Sequence, residues 1–438
     1  MRTLLIPLLL LYSSITWAIP TIQHWETTQG AQVYFVPAPE VPMVDIEIFF
    51  DAGGARDGDH PGIAMLTNGL LDEGAAGLSA DQLSEQIDYL GAKLGSSAGR
   101  DSALLWLRSL SKPKVLFPAV ELLAKIVAQP DFPEKPFERV RQQMLTTLKY
   151  RQQSPDSIAD DAFNQAVFAT HPYATLAYGT SKSVTTLQRE QVKAFHTQYY
   201  VTKNAILSIV GDLDRPTAEK IANQVVQHLP PGELPPSLPK VAELKETKTV
   251  HLSHPSTQTH LLIGQPGIQQ GDPDYFALYV GNYIFGENEL ISRLGNEIRE
   301  KRGLAYGVSS SFTPMKAGGL FSINLQTRND QASEALQLVQ ETLRKFVEQG
   351  PTEQELTEAK QGITGMFPLS IKSNMNILSQ LSTIGFYHLP LDYLHTFNKN
   401  IEAVTVDMVK DVFKRRIHLD KLIIVTVGDK QVSNPSNP

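Results

Sequence analysis

The chain of 438 residues has no cysteine. Disulfides, thiolate-held zinc and a cysteine nucleophile are therefore all excluded. It also lacks a cationic stripe: 39 Lys and Arg stand against 46 Asp and Glu, a formal net charge of −7, spread along the sequence. A nucleic acid partner, which needs clustered cations to displace its counterions, is not expected. Long apolar runs are missing too. The most apolar stretch, Leu4–Leu11, is too short to span a bilayer as a mature helix. Gly53-Gly54 is not followed by the GK[ST] ending of a phosphate loop, and neither Ser109 nor Ser111 sits in G-x-S-x-G.

What is present reads as globular. Hydrophobic residues make up 42% and charged residues 19%, and the length suits two domains of roughly 200 residues each. Arg2, the apolar run after it and the small residue Ala18 have the form of a secretory signal peptide. Its removal takes away Arg2 alone, leaving a mature charge of −8 (−7 − 1). Export without disulfides points to a bacterial periplasm, and the mature chain is expected to have no stable membrane span.

The pattern predicts strands at Gln32–Val36, Met43–Phe50, Ser102–Leu110 and Asn204–Val210, the last a continuous apolar run of the buried type. Helices are expected over Pro61–Leu71, Ser79–Leu90 (Ser79 and Gln82 forming a capping box), Val115–Val127, Pro136–Arg151, Ser157–Phe168, Val184–Tyr199 and Pro216–Leu229. Prolines crowd residues 230–246, predicting a semi-rigid linker and a hinge between two halves. The halves repeat. Val192-Lys193 matches Val409-Lys410, and Val210-Gly211-Asp212 matches Val427-Gly428-Asp429, both at one interval (427 − 210 = 217). The expected architecture is α+β: two homologous domains, 19–229 and 247–432, each a mostly antiparallel sheet with helices on one face, with a leader at 1–18 and a tail at 433–438.

One phrase stands out, Asn296–Phe312, NEIREKRGLAYGVSSSF. The charged half predicts the end of a helix, stopped by Gly303 at positive φ. Leu304, Tyr306 and Val308 alternate like a strand, with all three on one face. Arg299 and Tyr306 are thereby set seven positions apart across a helix–strand junction. Taken by residue type alone, they are a solvated charge and a core aromatic.

With the duplication and the proline-rich linker, SRLGNEIREKRGLAYGVSSSF at Ser292–Phe312 resembles the pitrilysin/insulinase-type zinc metallopeptidase family, over about Thr21–Asp429. The resemblance implies two α+β domains in a clamshell. In that family HxxEH on the first helix grips zinc with histidines at i and i+4, and its Glu acts as general base. Here the matching positions hold Met65, Asn68 and Gly69, and the downstream ligand position falls at Thr146 or its neighbour Thr147. None of these replaces His or Glu: a thioether is a poor zinc ligand, Gly has no side chain, and an amide takes no proton from water. The 11 histidines supply no substitute H-x-x-x-H; His251 and His254 are three apart in an extended stretch, expected as surface residues, and His60 lacks a second ligand nearby. By resemblance, Arg299 and Tyr306 match the pair that binds substrate and stabilises the oxyanion, for which a guanidinium fork and a phenol O–H are suitable donors. The implied protein is the metal-free subunit of a two-chain peptidase. Zinc and HxxEH would be in a homologous partner, with self-association as the other possibility and a peptide as substrate. A non-enzymatic peptide-binding or assembly protein that kept the fold is the alternative.

Overall fold

The computed structural model describes residues 19–288 and 290–432. The expected leader at 1–18 and tail at 433–438 lie outside the described residues. Five strands build each half's repeat. In the first they are β2 (Gln32–Pro37), β3 (Met43–Phe50), β6 (Lys93–Ala98), β7 (Ala103–Leu110) and β8 (Ala205–Gly211), joined by an outer strand β1 (Gln23–Glu26); β4 (Gly74–Ala75) and β5 (Leu78–Ser79) form a separate small hairpin. In the second they are β9 (Lys248–Ser253), β10 (Gln258–Pro266), β11 (Ala305–Thr313), β12 (Leu320–Arg328) and β13 (Ile423–Gly428). The sheet orders are β1-β2-β8-β3-β7-β6 and β11-β12-β10-β13-β9. Read from the β6 and β11 ends, the two orders are the same, and each holds one parallel pair, β2 with β8 and β9 with β13.

The helices repeat as well. In the first half they are α1 (Ile63–Asn68), α2 (Ala80–Tyr89), α3 (Pro113–Ala128), α4 (Glu134–Arg151), α5 (Pro155–Phe168), α6 (Ser181–Thr186), α7 (Arg189–Tyr199) and α8 (Arg215–Val226). In the second they are α9 (Tyr275–Asn282), α10 (Ala332–Gln349), α11 (Glu353–Met366), α12 (Asn374–Phe386), α13 (Tyr393–Ala403) and α14 (Val406–Arg416). The interval seen in the sequence carries α3, α4, α5 and α7 onto α10, α11, α12 and α14 nearly in register. The Ser79–Gln82 capping box forms as expected. The single helix expected over Val184–Tyr199 is instead two, α6 and α7, because Gln188 is extended (φ −114°, ψ 149°) and caps α7 through Gln191.

Each sheet carries helices of its own half on one face, and its second face takes a helix from the other half. α5 lays Phe163, Val167 and Phe168 against Leu262, Val425 and Val427 of the second sheet. α12 lays Leu378, Leu381 and Phe386 against Tyr34, Ile206 and Val210 of the first. This explains why β8 and β13 are buried along their whole length: strands covered on both faces need apolar side chains in both directions. Fit at the exchange is close. A Cβ at Gly264 would stand 2.0 Å from the Phe321 carbonyl oxygen and 2.9 Å from the Phe163 ring, so glycine is required there.

The expected hinge is a strap. Residues 230–244 form no helix or strand, but Arg56 Nη1 donates to the Pro236 carbonyl at 2.7 Å, the His171 ring N–H to the Pro239 carbonyl at 2.8 Å, and the Val241 amide to the Ala317 carbonyl at 3.1 Å. Beneath the strap runs a polar network between the halves. Asp51 accepts both from Arg56 (2.7 Å) and from Lys316 Nζ (2.6 Å). Asp101 accepts from the Tyr173 hydroxyl, from the Lys316 amide at 3.0 Å and from the Tyr387 hydroxyl at 3.3 Å. Proline supplied the extended backbone, and these long-range bonds removed the freedom that the composition suggested.

Candidate functional site

α1 is shorter than the sequence suggests. It begins after Gly62, whose φ of 93° favours glycine, and ends at Asn68, with Gly69 as its C-cap. Asp57 caps its start, accepting from the Gly62 amide at 2.6 Å and the Ala64 amide at 3.0 Å. Burial pushes this carboxyl up to about 7 despite those donors. On the helix, Met65 is half-buried against the core, and Asn68 is 2% exposed. Asn68 Nδ2 donates to the Leu104 carbonyl at 3.3 Å, while the Ser96 hydroxyl donates to the Asn68 carbonyl at 3.4 Å. A Cβ on Gly69 would lie 3.5 Å from Val140 of α4. Thr146, farther along α4, is exposed and spends its hydroxyl on the Gln142 carbonyl at 2.9 Å. Thr147, two turns after Val140, lies on the half-buried side that packs toward α1.

These residues do not fit zinc. An amide tied into the sheet, a thioether packed in the core, a glycine and a threonine offer no imidazole and no carboxylate. Among the described residues no three His, Cys, Asp or Glu side chains cluster as if to hold an ion.

Tyr200, beside Asn68, is stacked by His196 of α7. The His196 ring N–H donates to the Val127 carbonyl at 2.8 Å, and the two ring centroids are 4.7 Å apart. Burial lowers its pKa to about 4. Between about 4 and the ordinary value near 6.5, the unfolded chain takes a proton that the folded chain refuses. Stability is therefore fully present above pH 6.5 and falls as pH drops toward 4, by about 3 kcal/mol at 1.4 kcal/mol per unit. Urea midpoints measured from pH 7 to 4 are expected to decline across this window. His196→Phe, which keeps the ring stacking, is expected to flatten the decline; an unchanged slope would assign it to other groups.

The phrase Asn296–Phe312 folds as a wide helical turn over Gly295–Glu300, then β11. Gly303 has φ 62°, and the Leu304 amide donates back to the Ile298 carbonyl at 3.0 Å, closing the turn as the sequence predicts. Arg299 is held by its neighbour: Nε and Nη2 donate to Glu300 Oε1 at 2.9 and 2.6 Å, with the Arg299 side chain 24% exposed. An exposed pair of this kind is worth only about 0–1 kcal/mol, so the guanidinium is easily released to another anion.

Tyr306 departs from the expected strand face. It is 98% exposed, while Leu304 and Val308 are buried. The register of β11 on β12 jumps between Ala305 and Val308, where Ala305 pairs with Thr327 and Val308 with Leu325. The extra residue is a bulge, and it turns the phenol out of the molecule. Tyr306 is thus neither the core aromatic nor a partner of Val308.

Arg299 and Tyr306 belong to the second half; Met65, Asn68, Gly69 and Thr146 belong to the first. No hydrogen bond or ion pair among the described residues links the two sets. The interdomain groups Asp51, Asp101 and Lys316 were missed by the sequence reading, since no motif or spacing connects them. No helix among the described residues is long and apolar enough to cross a membrane.

Comparison with known proteins agrees with this geometry. Residues 33–181 match the family model described as insulinase (peptidase family M16), and residues 186–363 match that of the peptidase M16 inactive domain. A Helicobacter pylori protein described as non-peptidase homolog YmxG is 26% identical, over 94% of this chain and 95% of its own length. A Bacillus subtilis protein described as uncharacterized zinc protease YmxG is 22% identical, over 82% and 87%. A crystal structure from Pseudomonas fluorescens, described as a peptidase M16 inactive domain, superposes with a TM-score of 0.91 at 41% identity, covering 94% of this chain and 99% of that one.

Proposed function

Because the chain belongs to the insulinase-type M16 peptidase family, we propose that it is the metal-free subunit of a two-chain peptidase. A homologous partner carries HxxEH and zinc. This chain supplies Arg299 and Tyr306 to the peptide on the partner and half of the enclosing chamber. The observation that carries the reading is the combination of a zinc motif replaced by Met65, Asn68 and Gly69 with a phenol, Tyr306, that is 98% exposed and turned away from its own chain. A side chain so placed serves something outside the molecule. The guanidinium and phenol then act as donors to the scissile carbonyl as negative charge develops on its oxygen. Peptide is expected to lie in extended form and to pair with an open sheet edge, of which β6 and β11 are examples. With the leader read as a signal peptide, the complex works in the bacterial periplasm.

The test is reconstitution. The lone chain is expected to be inactive on unstructured peptides, and the mixture with an HxxEH-bearing homologue from the same genome active and sensitive to chelator. Chelator-sensitive cleavage by the lone chain would overturn the reading. A second reading, peptide capture without cleavage, draws on the relative described as a non-peptidase homolog. It predicts saturable peptide binding by the lone chain and no gain in turnover when any partner is added.

A further inference from the structure

We propose that the cavity between α9 and the C-terminal end of β11 binds an alkylammonium group, carried by a free amine or by a lysine side chain. The site is built from the second half alone and does not depend on the subunit reading.

Its walls are apolar and aromatic. The cavity measures about 130 Å³, the space of roughly four waters. Leu278 and Ile268, 0% and 5% exposed, form its deep side. Tyr275 and Tyr279, a helical turn apart on α9, also line it, with their rings 5.9 Å apart and 4° from parallel. Phe312 of β11 adds a third ring. A cavity of this size takes a short alkyl stem, and the negative faces of aromatic rings attract a cation.

One carboxylate supplies the charge. Glu287 ends the turn Tyr283–Glu287 that continues α9, and it stands at the rim of the same cavity. Its place is built. Asn282, 2% exposed, donates Nδ2 to Glu287 Oε2 at 3.2 Å. Asn282 is itself fixed by Ser310, donating to its carbonyl at 3.2 Å and accepting from its hydroxyl at 2.7 Å. Glu287 Oε1 has no hydrogen bond among the described residues, and the carboxylate makes no ion pair among them. No Lys, Arg or His lines the cavity. Partial burial therefore raises the Glu287 pKa, opposed by the Asn282 bond. Burial and then the Glu287 charge raise Tyr279 as well. The cavity thus holds negative potential with no cation to offset it, which a bound ammonium would do. One carboxylate beside an amide offers too few oxygens for a hard metal ion, whereas an ammonium needs only a few acceptors and its stem needs apolar walls.

Ile268 and Phe312 also line a neighbouring cavity of about 550 Å³, so the group can arrive on a longer molecule. Arg416 and Lys421 line that larger space and repel an ammonium, which directs it toward Glu287.

The experiment uses the full chain alone, titrated with n-butylammonium in calorimetry. n-Butanol is the neutral probe of similar length and K⁺ the bare cation. One n-butylammonium per chain is expected, bound at least about tenfold more tightly than either, the difference a charge-assisted contact makes. Glu287→Gln, which keeps an acceptor for Asn282, and Tyr279→Leu are each expected to weaken binding by about tenfold. The first variant changes a rim residue, and its thermal midpoint is expected to match the parent. Glu219→Gln, on α8 in the first half, is the control and is expected to bind as the parent does. Binding of a lysine peptide that Nε-acetylation removes identifies a peptide side chain as the source, and binding of the amine alone identifies a free amine. No saturable binding of n-butylammonium, equal binding of n-butanol or K⁺, or undiminished binding by Glu287→Gln would overturn the proposal. Because no peptidase is assayed, its failure leaves the subunit reading untouched.

Discussion

Arg299→Ala in the assembled two-chain complex is expected to lower kcat by about 10²–10³-fold, the usual loss when one oxyanion donor is removed. The physical ground is local. Among the described residues, the Arg299 guanidinium hydrogen-bonds to the neighbouring Glu300 carboxylate, whose side chain is itself 55% exposed. Its removal disturbs no core, and the thermal midpoint of the lone chain is expected to stay within a degree or two, as for other surface changes. Tyr306→Phe, with the hydroxyl fully outside the fold, is expected to behave alike: folded, assembled and slow. Steady-state kinetics on the reconstituted complex separate the outcomes. A fall in kcat with KM little changed marks a donor used mainly in the transition state, whereas a rise in KM alone marks substrate binding. Full turnover with both substitutions together would end the donor assignment, and with it the main reason for regarding this chain as part of an enzyme.

Asp101→Ala is expected to cost several kcal/mol of stability, about 1–3 kcal/mol for each buried donor it leaves without an acceptor. Asp101 is 6% exposed and serves three groups at once. Two of them, Tyr173 and Tyr387, are phenols from different halves, and the third is the Lys316 amide. Burial first, then the nearby Asp101 charge and its hydrogen bond, raises both phenols above the ordinary tyrosine range. They therefore stay protonated as donors. Without the carboxylate their hydroxyl protons are left buried and unpaired. Chemical denaturation of the variant should show the loss as a lower midpoint. A change in slope would mean that the halves now unfold separately, since the network joins them. A loss below about 1 kcal/mol would place the stability of the junction in the apolar helix exchange rather than in the polar network.

The sequence carried much of this architecture because much of it is local. Ser79 and Gln82 are three residues apart, so their capping box is written in adjacent letters. Gly303 is needed for a positive φ that side chains rarely adopt. The duplication is visible at one interval because both halves need the same helix before the same buried strand. The loss of the zinc site is equally legible, since the spacing of its ligands is fixed by a single helix turn. The continuous apolar run at Asn204–Val210 reads as a buried strand, but helices are expected from the sequence on one face only; the second cover over β8 and β13 is a finding of the structure.

Which helix does the covering was not legible. α5 and α12 each cross to the sheet of the other half, a choice made by shape complementarity over long separations, as between Phe163 and Gly264. The proline-rich stretch reads as a hinge because proline fixes local conformation. Arg56 and His171, far away in sequence, convert it to a strap. Tyr306 was placed on the wrong face because alternation assumes an unbroken register, and the bulge exists only in the pairing of β11 with β12. By itself, the sequence determined the α+β repeat, the absence of His and Glu at the HxxEH positions, and the pair Arg299 and Tyr306 that the proposal takes as donors. Tertiary structure alone decided that the halves interlock and that the phenol points outward, because both depend on contacts between residues that nothing local in the chain connects.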